Sequence, residues 1–557
     1  MSANDDVDVV IVGSGASGGA FAWQLSQMPG LRILCLEQGD WVPKPADVPT
    51  TDASGQIERL TAPPQNRLGV RYNHGGYPYD YSQSYWQPIL GNAVGGATLH
   101  YAAVWARLHP YDFVPATLDG VGENWPITYW DLAPYYDLND RRVGVSGVPG
   151  NPAYPPKSSR LLPPLPLSKS GEVIERGLRA LKWHSWPAER AIVTEPFNGR
   201  QPCPNRCVNC DTGCPKEAKN SSDVVFWPDA IKNGVVLKTR ATVAEILLNK
   251  QGLADSVVYF DADGRVQRQK ARVVVLAANG IGTPRLLLHS KSSRFPNGLA
   301  NRSGLVGRGL MGHPKATVVG VFEGGSNGPR QLESASITCD EFCRADPSRG
   351  FVRGFWIMSG AFSGPIDAAI GEAPTSIASL VPVALRATAT KNTLPWGAAH
   401  HAAFQERYFN SVAMSVYADE LPEDVNRIEL DPTLKDTFGI PAPKLFYRMG
   451  SNTEKILQYG MNRCRDVMDA AGVTRIASAG HVAPAPGHYL GTARMGADPG
   501  RSVVDKWCRA HDVRNLFIID GSVFTTSCGG LVPTSTIQAL ALRTADYVRS
   551  KGSGLLV

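Results

Sequence analysis

Residues Val7 to Val12 (VDVVIV) form an apolar run of strand length that gives way at once to the glycine-rich turn GSGASG and then to the helix-like AFAWQLSQM. A second apolar run, Leu31 to Leu36, predicts another strand and ends at Glu37. Near the far end of the chain, LFIIDGSVF (Leu516 to Phe524) reads as a buried strand running into Asp520 and Gly521. Beyond it, Pro533 suits the first turn of a helix, and Ile537, Leu540, Ala541, Ala545 and Val548 fall on one apolar face. The Pro-rich segments 41–64 and 146–167 carry turn-forming residues and little periodicity, as surface excursions do. No repeat period or low-complexity tract is evident.

The strand-turn-helix order at the N-terminus gives its glycines a chemical meaning. Gly13 allows the turn, Gly15 lets the backbone approach a pyrophosphate, and Gly18 lets helix meet strand. Phosphate charge is favoured at the helix N-terminus by free N–H groups and the dipole. Glu37 lies nineteen residues after Gly18, where an acid accepts hydrogen bonds from a ribose. Dinucleotide binding is expected, and the fingerprint alone does not choose between NAD and FAD.

At 557 residues the chain exceeds the ~250–300 at which single cores stop growing, so at least two domains are expected. The net charge of +6 is spread without a basic run, which argues against a nucleic-acid partner. Neither a secretory signal nor a transmembrane segment is read from the pattern. The scattered cysteines outside residues 203–214 suit reduced thiols. A cytoplasmic protein is the default expectation, and periplasmic location by co-export with a signal-bearing partner would leave the same trace.

Several stretches extend this picture: the N-terminal fingerprint with LCLEQGD, then GNAVGGATLHYAAVWAR, ARVVVLAANGIGTPRLL, GHYLGTARMG, and DGSVFTTSCGGLVPTSTIQALALRTAD. In these stretches, and in their order, the chain resembles the glucose-methanol-choline (GMC) oxidoreductases. ENWPITYWDLAPYYD and the segment running into KEAKNSSDVVFWPDAIKNGVVL look most like the bacterial branch with gluconate, glucose and glucoside dehydrogenase large subunits. The resemblance implies an α/β fold: a Rossmann-type FAD-binding domain (1–110, 200–315 and 480–557) and a substrate domain (111–199 and 316–479) with an antiparallel sheet covered by helices. It implies FAD as cofactor, held by Gly13, Gly15, Gly18, Glu37, Gly95, Gly96, His100, Val243, Ala278, Asp520, Gly521 and Val532. The C-terminal helix end at Leu531 and Val532, pointed at the flavin pyrimidine, would stabilise the reduced ring.

Oxidising an alcohol needs a base near the hydroxyl and a hydride acceptor near the carbon. Imidazole suits the base role, and His488 matches the family's catalytic histidine. The family places Asn or His one position before the proline of the C-terminal helix, where this chain has Val532. Valine makes no side-chain hydrogen bond. Either Thr534, Ser527 or Asn279 takes over, or His488 works alone, or ordinary alcohol oxidation is lost. His100 stands where some members attach FAD covalently and others only contact it.

The expected activity is oxidation of a sugar, glycoside or polyol hydroxyl to a carbonyl, by a dehydrogenase in preference to an oxidase using dioxygen. A non-redox lyase and a non-catalytic flavoprotein subunit are the alternatives that Val532 leaves open. Substrate choice is assigned to loops such as 325–350 and 385–410. Cys203, Cys207, Cys210 and Cys214 are spaced C-x3-C-x2-C-x3-C-P, one residue longer in the first gap than the bacterial ferredoxin run. An iron-sulfur cluster, zinc, and metal-free thiols or a disulfide are all compatible with this loop. A cluster would imply an electron-transfer partner.

Overall fold

A computed structural model describes residues 6–42, 77–86, 88–205, 210, 214, 216–322, 336–360, 397–482 and 487–551. Cys207, most of the Pro-rich segment 41–64 and parts of the two expected substrate loops lie outside the described residues.

The strand Val7–Val12 is buried along its whole length and runs parallel to Ile33–Leu36 on one side and Val266–Leu276 on the other. A strand buried on both faces needs a nearly continuous apolar run, and VDVVIV supplies one interrupted only by Asp8, whose Oδ2 accepts from Arg32 N at 2.8 Å. Val236–Lys238 extends this sheet beyond Ile33–Leu36, and Leu516–Ile518 joins it beside Val266–Leu276. Thr242–Leu248 and Ala254–Phe260 continue it as antiparallel strands. The helices Ala16–Leu25 and Thr534–Lys551 pack on one another over the sheet, so the two ends of the chain build one domain.

A second sheet is antiparallel throughout, in the order Arg475–Val482, Lys315–Val321, Ser411–Ala418, Phe355–Gly360, Ile337–Cys339 and Trp186–Pro187. The helices Ser451–Ala470 and Lys169–Ala180 cover one face of it. Val318, Phe355, Ile357, Val416, Ile456 and Val467 form its core. This is the expected pairing of a dinucleotide-type parallel sheet with an antiparallel sheet under helices.

Two segments cross the division drawn from the sequence. The helix Tyr129–Val143, capped by Thr128 and Asp131, lies on the C-terminal helix. Tyr136 and Thr536 share a 2.7 Å hydroxyl hydrogen bond, and Asn139 Nδ2 donates to Gln538 Oε1 at 3.0 Å. The strand Asp80–Ser84 joins a small sheet with Pro441–Tyr447 and Arg427–Lys435. Periodicity identifies an element and its apolar face, whereas the neighbour that covers that face comes from anywhere in the chain. Among the described residues no helix is long and apolar enough to cross a membrane.

Candidate active site

The glycine-rich turn adopts the shape that a dinucleotide requires. Gly13 has φ +99°, and a Cβ there would meet the Ala277 carbonyl oxygen at 2.5 Å and Ala278 N at 3.4 Å. Ala278 therefore borders the turn directly. Across from it, a Cβ on Gly96 would sit 2.9 Å from Gly15 Cα, so two bare backbones face each other. Gly15 begins the helix Ala16–Leu25 without a side-chain cap, which leaves the helix end to an anion. These residues fit the pyrophosphate of FAD.

Glu37 is buried at the end of its strand. Its Oε2 accepts from Ser14 N at 2.8 Å and Ser14 Oγ at 2.6 Å, and its Oε1 accepts from Gly39 N at 2.8 Å. A carboxylate offers about four lone-pair sites, so Oε1 keeps one for a ribose hydroxyl. Burial raises its pKa, against the pull of these donors. Val243 lies on the strand just past this point, after Ala241 N donates to the Glu37 carbonyl at 2.8 Å. Gly95 N donates to Ser14 O at 3.3 Å, and the short helix Gly96–Leu99 ends at His100.

A second cluster forms where the two sheets meet. Asp520 caps the turn Gly521–Val523 and accepts from Thr283 Oγ1 at 2.5 Å. The segment Gly491–Met495 runs beside this turn, with Ala493 N donating to Ser522 O at 2.8 Å and Met495 N to Val523 O at 2.9 Å. Leu490 and Met311 exchange two backbone hydrogen bonds of 3.0 Å as an antiparallel bridge. Two residues along that register, His313 stands opposite His488. Their Nδ1 atoms lie 2.8 Å apart, and His313 Nε2 lies 2.8 Å from the Ser527 carbonyl oxygen.

This geometry fixes both tautomers. A carbonyl oxygen only accepts, so His313 Nε2 carries the proton, and the Nδ1 of a neutral His313 must accept. His488 Nδ1–H is then the donor. The lone pair of His488 is left on Nε2, the atom a general base needs. Burial lowers the pKa of His313 to about 4, against the opposing effects of the Ser527 carbonyl and Asp419. Burial and the neighbouring His313 hold His488 well below its ordinary value, so both rings are neutral at pH 7.

The Ser527 carbonyl is itself anchored. Ser527 Oγ donates to Asp419 Oδ1 at 3.0 Å, and Asp419 Oδ2 accepts from Arg353 Nε at 2.8 Å. Arg353 also binds Asp112 at 2.9 Å and Asp119 at 2.6 Å. Next to Asp419, Glu420 accepts from Gly312 N at 2.7 Å and from the Tyr447 hydroxyl at 2.5 Å, and burial pushes its carboxyl up to about 8. Substituting His313 with Leu is expected to lower the turnover rate at least about tenfold, because His488 loses the acceptor that selects its tautomer. The acid limb of the pH profile should move up, since the neighbour that lowers the His488 pKa is gone. H313Q, which restores an acceptor oxygen, should recover part of the rate; identical pH profiles in all three proteins would refute the tautomer argument.

Val532 is buried at 8% exposure just before the C-terminal helix. Of the polar groups expected to stand in for it, Ser527 Oγ is committed to Asp419. Asn279 Oδ1 accepts from Ile281 N at 2.9 Å and Gly282 N at 3.1 Å. Lys219 is buried, and its Nζ donates to Leu99 O at 2.7 Å and Cys210 O at 2.8 Å, tying the cysteine loop to the stretch that carries His100. Among the described residues, Cys203, Cys210 and Cys214 do not form a group of three ligand atoms within 4.8 Å of one another. Burial pushes the Cys210 thiol up to about 12.

His313, Asp419 and Arg353 are site residues that the sequence reading did not pick out. The one available signal was a His-Pro pair at the mouth of the apolar run KATVVGV.

A dinucleotide-type glycine turn and a neutral, buried imidazole with its Nε2 lone pair unused suit an oxidoreductase. Family models described as GMC oxidoreductase match residues 173–315 and 422–541. The chain is 36% identical to a 2-methyl-1,2-propanediol dehydrogenase of Mycolicibacterium austroafricanum, over 99% of this chain and 97% of that protein. It is 30% identical to a fructose dehydrogenase large subunit of Gluconobacter japonicus, over 97% of each chain. Its fold matches the crystal structure of pyridoxine 4-oxidase from Mesorbium loti with a TM-score of 0.63 at 17% identity, covering 98% of this chain and 99% of that one. The chain belongs to the GMC oxidoreductase family, whose members are FAD-binding flavoproteins acting on CH–OH groups.

Proposed function

We propose that this protein is an FAD-dependent dehydrogenase that oxidises a hydroxyl group of a small polyol, sugar or glycoside to a carbonyl. The observation that carries the reading is the lone pair left on His488 Nε2 by the His488–His313–Ser527 chain. His488 takes the hydroxyl proton at Nε2. FAD, held by the Gly13–Gly18 turn, Glu37, Gly95, Gly96 and Ala278, supplies the acceptor for the hydride. Val243, His100, Asp520, Gly521 and Val532 border the same cofactor, with His100 in non-covalent contact.

Support for the substrate class comes from relatives named for a diol, a ketose and, at 30% identity, an aminoglycoside in paromamine 6'-oxidase of Streptomyces fradiae. Valine at 532 makes that part of the wall apolar, which suits a substrate with a methyl or methylene beside its reacting carbon. His488 holds the oxygen without the customary second side chain. The cysteine loop is read as metal-free and outside the electron path, in line with a first gap one residue longer than that of the bacterial ferredoxin run.

Mixing the flavin-loaded protein anaerobically with branched diols, hexoses and glycosides tests the reading. Bleaching by at least one compound, and steady turnover with a dye acceptor but no peroxide, is the expected result. Stoichiometric peroxide would make the protein an oxidase. Failure of every compound to bleach the flavin would favour lyase chemistry.

A further inference from the structure

A second cluster of reactive side chains lies apart from the histidine pair. His109 and Cys343 are each 1% exposed, and Asp340 is 8% exposed. One ligand atom from each lies within 4.8 Å of the others. His109 Nε2 is 3.4 Å from Asp340 Oδ1, and Cys343 Sγ is 3.9 Å from the same oxygen. Around a tetrahedral zinc with bonds of about 2.0–2.3 Å, ligand atoms sit about 3.3–3.8 Å apart. The cluster therefore needs only a small contraction to close on an ion.

The orientation of His109 supports the same reading. Its Nδ1 lies 3.1 Å from the Ala153 carbonyl oxygen, which makes Nδ1 a donor and turns Nε2 toward Asp340 and Cys343. Metal-bound imidazoles are oriented by just such a bond from the second nitrogen. The ring is held flat between Tyr111 and Tyr154, with centroids 4.7 Å and 4.3 Å away. His109 Nε2 and Asp340 Oδ2 are buried without a well-formed hydrogen bond, their approaches to Asp340 Oδ1 and to His184 Nδ1 being 3.4 Å each. His184, although close, is committed: its Nδ1 accepts from Asp340 N at 3.0 Å and its Nε2 donates to Asn151 Oδ1 at 2.9 Å.

We propose that His109 Nε2, an Asp340 carboxylate oxygen and Cys343 Sγ bind a single zinc ion that fastens the segment 109–113 to the turn after the strand Ile337–Cys339. An imidazole, a carboxylate and a thiolate form a borderline-soft set that suits zinc. The thiol proton leaves to solvent when the ion binds, so the dication is balanced by one thiolate and one carboxylate. The fourth position falls to water or to the Tyr154 hydroxyl, which donates to Asp340 Oδ1 at 2.8 Å. The ion would brace the site from behind, because Asp112, three residues after His109, binds Arg353. The assignment goes beyond the oxidation chemistry and does not depend on it.

Elemental analysis of the flavin-loaded, tag-free protein after equilibration with zinc and gel filtration is the direct test. About one zinc per chain is expected for wild type and for C203S/C210S, against less than a tenth of that for C343S and H109Q. Zinc X-ray absorption of the wild type should give one sulfur at about 2.3 Å with nitrogen or oxygen ligands at about 2.0 Å. This second measurement decides the matter even where a variant does not fold. No zinc in wild type would reduce the cluster to a buried His109–Asp340 pair and end the proposal. A shell of three or four sulfurs, or zinc lost only from C203S/C210S, would move the ion to the cysteine loop and end it equally.

Discussion

Substitution of His488 with Asn is expected to slow reduction of the bound flavin by substrate about 10²–10⁴-fold, the usual worth of a positioned general base. Flavin content should stay at the wild-type level. Among the described residues the His488 side chain bonds to His313 and to no group of the cofactor cradle. The pH profile gives the argument its sign. A base works only when unprotonated, so the rate falls as pH drops through its pKa. Burial and His313 hold that pKa well below the ordinary value for histidine. Wild-type activity should therefore persist below about pH 6.5, the value for an unperturbed imidazole. Rapid-mixing measurement of flavin bleaching across pH checks both points. A loss smaller than about tenfold in H488N would remove His488 as the base.

The other large effect concerns stability. Arg353→Met should cost about 3–5 kcal/mol, because it leaves buried carboxylates without their counter-charge. Arg353 is 1% exposed and holds three carboxylates, of which the side chains of Asp112 and Asp419 are fully buried. Burial raises the pKa of Asp112, and the Arg353 charge opposes that rise. Lysine should not rescue the site, since a single ammonium cannot reproduce a guanidinium that bonds three carboxylates through Nε, Nη1 and Nη2. Denaturant unfolding of wild type, R353M and R353K measures this directly, and a change within about 1 kcal/mol would show that the network carries little stability. A partial loss of rate should accompany the loss of stability, because Asp419 holds Ser527 and the Ser527 carbonyl holds His313.

Parts of the molecule were legible because they are written locally. The fingerprint from Val7 to Glu37 is a strand, a turn and a helix in direct succession, and the structure forms each of them from the same residues. The C-terminal helix was equally plain, with Leu540, Ala541, Ala545 and Val548 all buried. His488 stood out through the motif around it. By contrast, His313 is 175 residues from His488 and becomes its neighbour only through the Met311–Leu490 bridge. Arg353 meets Asp112 and Asp119 from one stretch and Asp419 from another, and no spacing rule links them to it.

The division of the chain between sheets followed the same pattern. The helix Tyr129–Val143 was predictable as an element, yet its partner, the C-terminal helix, lies 399 and 400 residues away at the two bonds that join them. The amino-acid sequence by itself determined the dinucleotide turn and the order of elements around it, because backbone sterics and apolar periodicity act over a few residues, while His488 was singled out by its motif's resemblance to the family. Tertiary structure alone decided which nitrogen of the His488 imidazole keeps its lone pair, and which charges and carbonyls stand behind it. Those features depend on hydrogen bonds between segments brought together by burial, where a low dielectric makes each donor and acceptor count.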